Sequence, residues 1–101
     1  MRIIGGKYRS RVLAEFEGMD VRPTGDRVRE ALFNILSLKI YGVRALDLFC
    51  GSGALGLECL SRGASEATFN DFSRESVKIL EKNLRTLGIG TVSYTHLTLP
   101  T

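Results

Sequence analysis

The stretch LDLFCGSGALG, residues 46–56, sets Gly51, Gly53 and Gly56 in a G-x-G-x-x-G spacing, with Asp47 four residues before the first glycine and Asp71 twenty after it. Glycines so placed after a strand make a tight turn and let the backbone approach a nucleotide-like ligand. An acid about twenty residues on, at the end of the next strand, can accept hydrogen bonds from ribose hydroxyls. NAD(P), FAD and S-adenosylmethionine all fit that much. Asp47 separates them. A pyrophosphate seated on the following helix N-terminus is an anion, and a carboxylate beside it would repel it by several kcal/mol at an intermediate dielectric. S-adenosylmethionine has no phosphate, and its sulfonium and α-ammonium groups suit a nearby carboxylate. Asp47 as a purely structural group would cap loop amides, a role compatible with the first.

Other reactive types are sparse. Cys50 and Cys59 make no disulfide framework and have no partners at metal-ligand spacing, so they read as reduced, buried side chains and no metal site is expected. The single histidine, His96, has no catalytic neighbour. The net charge is +3, and its distribution says more than its size: Arg2, Lys7, Arg9 and Arg11 fall in the first eleven residues with no acid among them, followed by Arg22, Arg27 and Arg29. Such clusters form either a nucleic-acid footprint or a solvated basic surface.

The elements that must position these groups follow from periodicity. Gly5-Gly6 between RII and KYRSRVL reads as a hairpin or a tight bend between strands. Pro23 biases Arg22 toward extended geometry, so a helix begins no earlier than Thr24. Val28, Ala31, Leu32, Ile35 and Leu36 then form one apolar stripe of a helix. Off that stripe, Arg27, Arg29 and Asn34 are free to face solvent or a ligand. Residues 43–49 (VRALDLF) read as a buried strand feeding the glycine loop. A helix with Leu55, Leu57, Cys59 and Leu60 follows, with Gly63 as its stop. A strand over 67–70 ends at Asp71, and a helix opens near Ser73 and closes at Gly88, carrying Val77, Leu80, Leu84 and Leu87. Residues 91–99 alternate like a strand. The order from residue 43 is half of an open parallel α/β sheet.

The length of 101 residues suits one small domain, and 44% hydrophobic with 25% charged residues is a soluble globular composition. No apolar run reaches bilayer length, and MRIIGGKYRSR lacks the apolar core of a signal peptide, so the expected location is cytoplasmic, away from membranes.

RPTGDRVREALFNIL, followed by ALDLFCGSGALGLECLSRGA, closely resembles the RsmD family, and the opening MRIIGGKYRSRVL is similar to that family's N-terminus. The likeness runs from Met1 to about Gly88. It implies a partial class I, Rossmann-like S-adenosylmethionine-dependent methyltransferase fold, preceded by an N-terminal β-hairpin and helix. The implied activity is methylation of the N2 amino group of a guanine in 16S ribosomal RNA, free or in an assembling small subunit, by a protein monomeric at full length. By the same resemblance Asp47, Phe49, Gly51, Ser52 and Gly53 would surround the methionine part of the cofactor. Asp71 would hold the ribose, Phe72 would lie on the adenine, and Thr24 and Asn34 would stand near the pocket. Arg2, Lys7, Arg9 and Arg11 would meet RNA phosphates, with Arg22, Arg27 and Arg29 nearby; such contacts position RNA without reading its sequence.

The chain departs from the family in two places. Amino-group methylation there uses a D/N-P-P-Y/F motif, whereas the only prolines here are Pro23 and Pro100, so no catalytic residue is assigned. The tail IGTVSYTHLTLPT contains no acid. The expected organisation is an RNA-facing basic hairpin and linker over 1–23, the first half of the methyltransferase domain over 24–91, and an atypical, foreign tail over 92–101. A parallel sheet ending after three strands leaves a raw edge, so the chain alone is expected to be unstable and inactive. The alternatives are a non-catalytic RNA-binding fragment and an NAD(P)-binding oxidoreductase half-domain.

Overall fold

The strand, loop and helix alternation takes shape in the computed structural model, which describes residues 1–15, 26–47, 52–71, 73–89 and 93–96. Its elements are α1 (Asp26–Leu36), β1 (Arg44–Asp47), α2 (Ala54–Ser61), β2 (Glu66–Asp71), α3 (Arg74–Leu87) and β3 (Ser93–His96). The three strands form one parallel sheet in the order β1-β2-β3, with Asp47 beside Phe69 and Asp71 beside His96. This is the expected partial Rossmann-like α/β fold.

Two right-handed crossovers running the same way put α2 and α3 on one face of the sheet. Side chains alternate along β2, so Ala67 and Phe69 point to that face and are buried with Leu57, Leu80, Leu84 and Leu87. Full burial of a side chain such as Leu57, Phe69 or Leu80 contributes about 1.5–3 kcal/mol. α2 lies so close to β2 that a Cβ on Gly56 would overlap the Phe69 ring. α3 starts and stops where its sequence says. The Ser73 hydroxyl accepts from Ser76 N–H at 3.3 Å, and Gly88 closes the helix in a left-handed conformation, φ 72°.

Residues 1–15 form an arm that belongs to the same core, because Ile3 and Leu13 are buried in it. Its two limbs pair antiparallel through Ile3 N–H to Arg11 O (3.0 Å), Ser10 N–H to Ile3 O (2.8 Å) and Leu13 N–H to Met1 O (2.8 Å). The chain reverses over residues 6–11, past the Gly5-Gly6 pair. Gly6 instead permits contact with α2: Lys7 N–H donates to Ser61 O at 2.7 Å, and a Cβ on Gly6, φ 82°, would overlap the Ser61 carbonyl.

Two expectations fail. The helix over Asp26–Leu36 exists, but its inward side is Arg29 and Phe33, while Val28, Leu32 and Ile35 of the expected apolar stripe are exposed, Ile35 by 79%. An ion pair and a stacked guanidinium hold the helix, and apolar periodicity is blind to both. β1 is not a buried strand either: it pairs with β2 alone among the described residues, and Leu46 is 63% exposed.

Candidate functional site

The C-terminal ends of parallel strands share one edge of the sheet, where open α/β folds bind ligands. Asp47 ends β1 and Asp71 ends β2, so the two expected carboxylates do meet there. The glycine loop leads from the first into α2, whose N-cap is Gly53, left-handed at φ 90° and offering no side-chain cap. Asp47 takes over that task. Its Oδ2 accepts the Gly56 N–H, the third amide of the helix, at 3.2 Å. A carboxylate therefore already occupies the positive end of α2.

Burial pushes the Asp47 carboxyl above the ordinary aspartate value; the Gly56 N–H works against this, and the charge of Asp71 adds to it. Asp71 is buried, and its Oδ1 accepts Ser73 N–H at 2.9 Å, which fixes the carboxylate against the start of α3. Two carboxylates on one edge favour a cationic or hydroxyl-bearing ligand over a phosphate. Ser52 and Gly53 are buried at the head of α2, and a Cβ on Gly53 would overlap Leu80. Asn34 is exposed on α1. Thr24, Phe49, Gly51 and Phe72 lie outside the described residues, as do Arg22 and Cys50. Burial raises the Cys59 thiol, and the charges of Asp47 and Glu58 raise it further, which leaves it a poor nucleophile.

The arm carries its basic residues outward: Arg2, Lys7, Arg9 and Arg11 are all exposed, as is Arg27 on α1. Arg29 is a correction to the expectation of a solvent-facing or RNA-facing group. It is fully buried, its Nη1 lies 3.7 Å from Glu58 Oε1, and its Nη2 donates to the Arg2 carbonyl at 2.9 Å. Sequence spacing could not supply that partner, because Glu58 stands 29 positions further on.

Two buried polar residues that sequence reasoning missed hold the arm in place. Glu58 accepts from Ile4 N–H (2.9 Å), Gly5 N–H (3.0 Å) and Arg62 Nε (2.8 Å). The same Arg62 guanidinium stands over the Phe33 ring at 5.1 Å, so one cluster joins arm, α1 and α2. Asn83, on α3, accepts Ala14 N–H at 2.7 Å and donates to the carbonyls of Ala14 (3.2 Å) and Ser52 (2.9 Å). A signal existed for each. Glu58 is the one acid in ALGLECLS, and Asn83 falls between Leu80 and Leu87 on the apolar stripe of α3. Among the described residues no group of three or more His, Cys, Asp or Glu could hold a metal ion, and no helix is long and apolar enough to cross a membrane.

A family model described as Conserved hypothetical protein 95 matches residues 1–98. The ribosomal RNA small subunit methyltransferase D of Escherichia coli (strain K12) is 51% identical over 90 residues, which are 89% of this chain and 46% of that protein. Its Haemophilus influenzae namesake is 47% identical over 87 residues, 86% of this chain and 45% of that protein. A solved structure of the Escherichia coli protein yhhF superposes with a TM-score of 0.85 at 48% identity, covering 96% of this chain and 52% of that one. The chain thus spans about half the length of the curated relatives it matches.

Proposed function

Since the chain belongs to the RsmD family, we propose that it serves S-adenosylmethionine-dependent methylation of the N2 amino group of a guanine in 16S ribosomal RNA. The single observation that carries the choice of cofactor is Asp47 on the Gly56 amide; the guanine and the 16S RNA rest on the family resemblance. With a carboxylate seated on the α2 N-terminus, the place where a dinucleotide would rest its pyrophosphate is negatively charged. A sulfonium nucleoside meets attraction there instead.

The division of labour follows from the two aspartates. Asp47 would face the cationic, methionine side of the cofactor while holding the head of α2. Asp71, fixed by the Ser73 amide, would accept from the ribose hydroxyls. The bound cofactor supplies an activated methyl group. Ser52 and Gly53 would form the floor beneath it, with Phe49, Gly51, Phe72, Thr24 and Asn34 as its further neighbours by family resemblance. Arg2, Lys7, Arg9 and Arg11 on the arm, with Arg27 on α1, would hold RNA phosphates as charge-assisted contacts. A D/N-P-P-Y/F motif is not among these 101 residues, so none of them is assigned to the transfer step itself.

Calorimetric titration of the chain with S-adenosylhomocysteine and with NADH tests the proposal. Binding of the first and not the second is expected. Preference for NADH would favour the oxidoreductase reading. Binding of 16S RNA with no nucleoside binding at all would leave only an RNA-binding module.

A further inference from the structure

Asn83 is 1% exposed, and its amide makes three hydrogen bonds to two segments that are distant in sequence. Its Oδ1 and Nδ2 both engage Ala14, at the end of the arm, as a closed acceptor and donor pair. The same Nδ2 also donates to the carbonyl of Ser52, in the glycine loop. A buried primary amide has two N–H donors, and here each has its own carbonyl. Neither segment can shift without leaving a buried polar group unpaired, which is costly away from water. A second link runs alongside: Ser52 Oγ lies 3.8 Å from Met1 Sδ, within donor range of sulfur. The arm is further clamped because Ile3 and Leu13 share a core with Leu80, Leu84 and Leu87 of α3.

From this geometry we infer that Asn83 is a positioning residue that ties the basic arm to the cofactor loop, so that RNA on the arm and cofactor at the loop strengthen each other's binding. The inference rests on the function proposed above. Its physical content is linkage. RNA phosphates held by the arm favour the closed state, in which Ala14 and Ser52 share the Asn83 amide, over states in which the arm has come away, and a cofactor seated at the loop favours the same state. The coupling must be reciprocal, with the same factor in both directions. Asn83 touches neither ligand in this account. A merely structural asparagine would affect both affinities and leave their ratio alone.

The test measures the dissociation constant of S-adenosylhomocysteine with and without a saturating 16S ribosomal RNA transcript, in the wild-type chain and in Asn83→Leu. In the wild type, RNA is expected to tighten nucleoside binding about tenfold, within the usual range of coupling between sites. In Asn83→Leu, of similar size but without the amide, both ligands still bind and the factor falls toward one. Should that variant fail to fold, Ala14→Pro leaves Asn83 in place, removes the N–H that its Oδ1 accepts and restricts the backbone at Leu13 and residue 14, and the same collapse of the factor is expected. A wild-type factor of one with both ligands bound overturns the inference, as does an unchanged factor in a folded variant. Failure of the wild type to bind the nucleoside or the RNA at all overturns the functional reading, and the inference with it.

Discussion

On the side where the arm meets α2 and α3, Glu58, Ser61 and Asn83 are buried and hydrogen-bonded to arm residues at least 53 positions away in the chain. On α1, the turn that follows it and β1, by contrast, Val28, Ile35, Leu38, Tyr41 and Leu46 stand in solvent, Leu38 by 98%. Ordinary expectation would reverse these materials, with apolar groups inside and polar ones outside. The polar side is stable because each buried group there has partners, so it fixes one arrangement of arm and loop. The apolar side has the composition of surfaces that associate. One side is a finished interior and the other has the character of an interface.

The comparison breaks most easily at Glu58. Glu58→Ala removes the carboxylate paired with buried Arg29, which also donates to the Arg2 carbonyl, and the acceptor of the Ile4 and Gly5 amides. A loss of about 3–5 kcal/mol is expected, as for one member of a buried ion pair, measured as a shift in urea midpoint. A smaller contrast sets Ile3 against Ile35. Ile3→Ala empties a core position and should cost about 2–5 kcal/mol, whereas Ile35→Ser, on the exposed stripe, should stay within about 0.5 kcal/mol. Equal losses at the two sites would erase the distinction between the sides. The wild-type chain should self-associate with rising concentration in sedimentation runs, and paired Ile35→Lys and Leu38→Lys substitutions should abolish this with no fall in melting temperature; a wild type that stays monomeric, or association unchanged by the substitutions, would count against an interface here. The smallest effect concerns Asp47. Its carboxyl is raised in the folded chain, chiefly by burial, so the folded state holds the proton to higher pH than the unfolded state does. Its contribution to stability is present at acid pH and is lost as pH rises through the folded value. Asp47→Asn should therefore be more stable than the wild type at pH 7 and no more stable at pH 3.

How much of this was legible in the sequence depends on range. Ser73, Gly88 and Gly63 mark helix ends through contacts within a few residues, and the structure puts those ends where the residues say. Asp47 and Asp71 reach the same edge because parallel strands joined by right-handed crossovers leave no other place for them. α1 is the opposite case. Its sequence carries two candidate inward faces, Val28–Leu32–Ile35 and Arg29–Phe33, and the choice is made by Glu58 and Arg62 on another helix. Hydrophobic period cannot register a buried guanidinium. Asn83 was missed for a related reason: a polar residue on an apolar stripe looks like a flaw until its partners, Ala14 and Ser52, are brought to it by the fold.

The central claim is that Asp47, seated on the α2 amide, makes the glycine loop a site for a sulfonium nucleoside and a poor one for a dinucleotide phosphate. Parallel titrations of wild type and Asp47→Asn with S-adenosylmethionine and NADH test it most directly. The account predicts that the substitution weakens S-adenosylmethionine by about tenfold or more, the scale of one lost charge-assisted contact, while NADH binding strengthens. Equal affinities for S-adenosylmethionine in the two proteins, or NADH bound more tightly by the wild type, would contradict it.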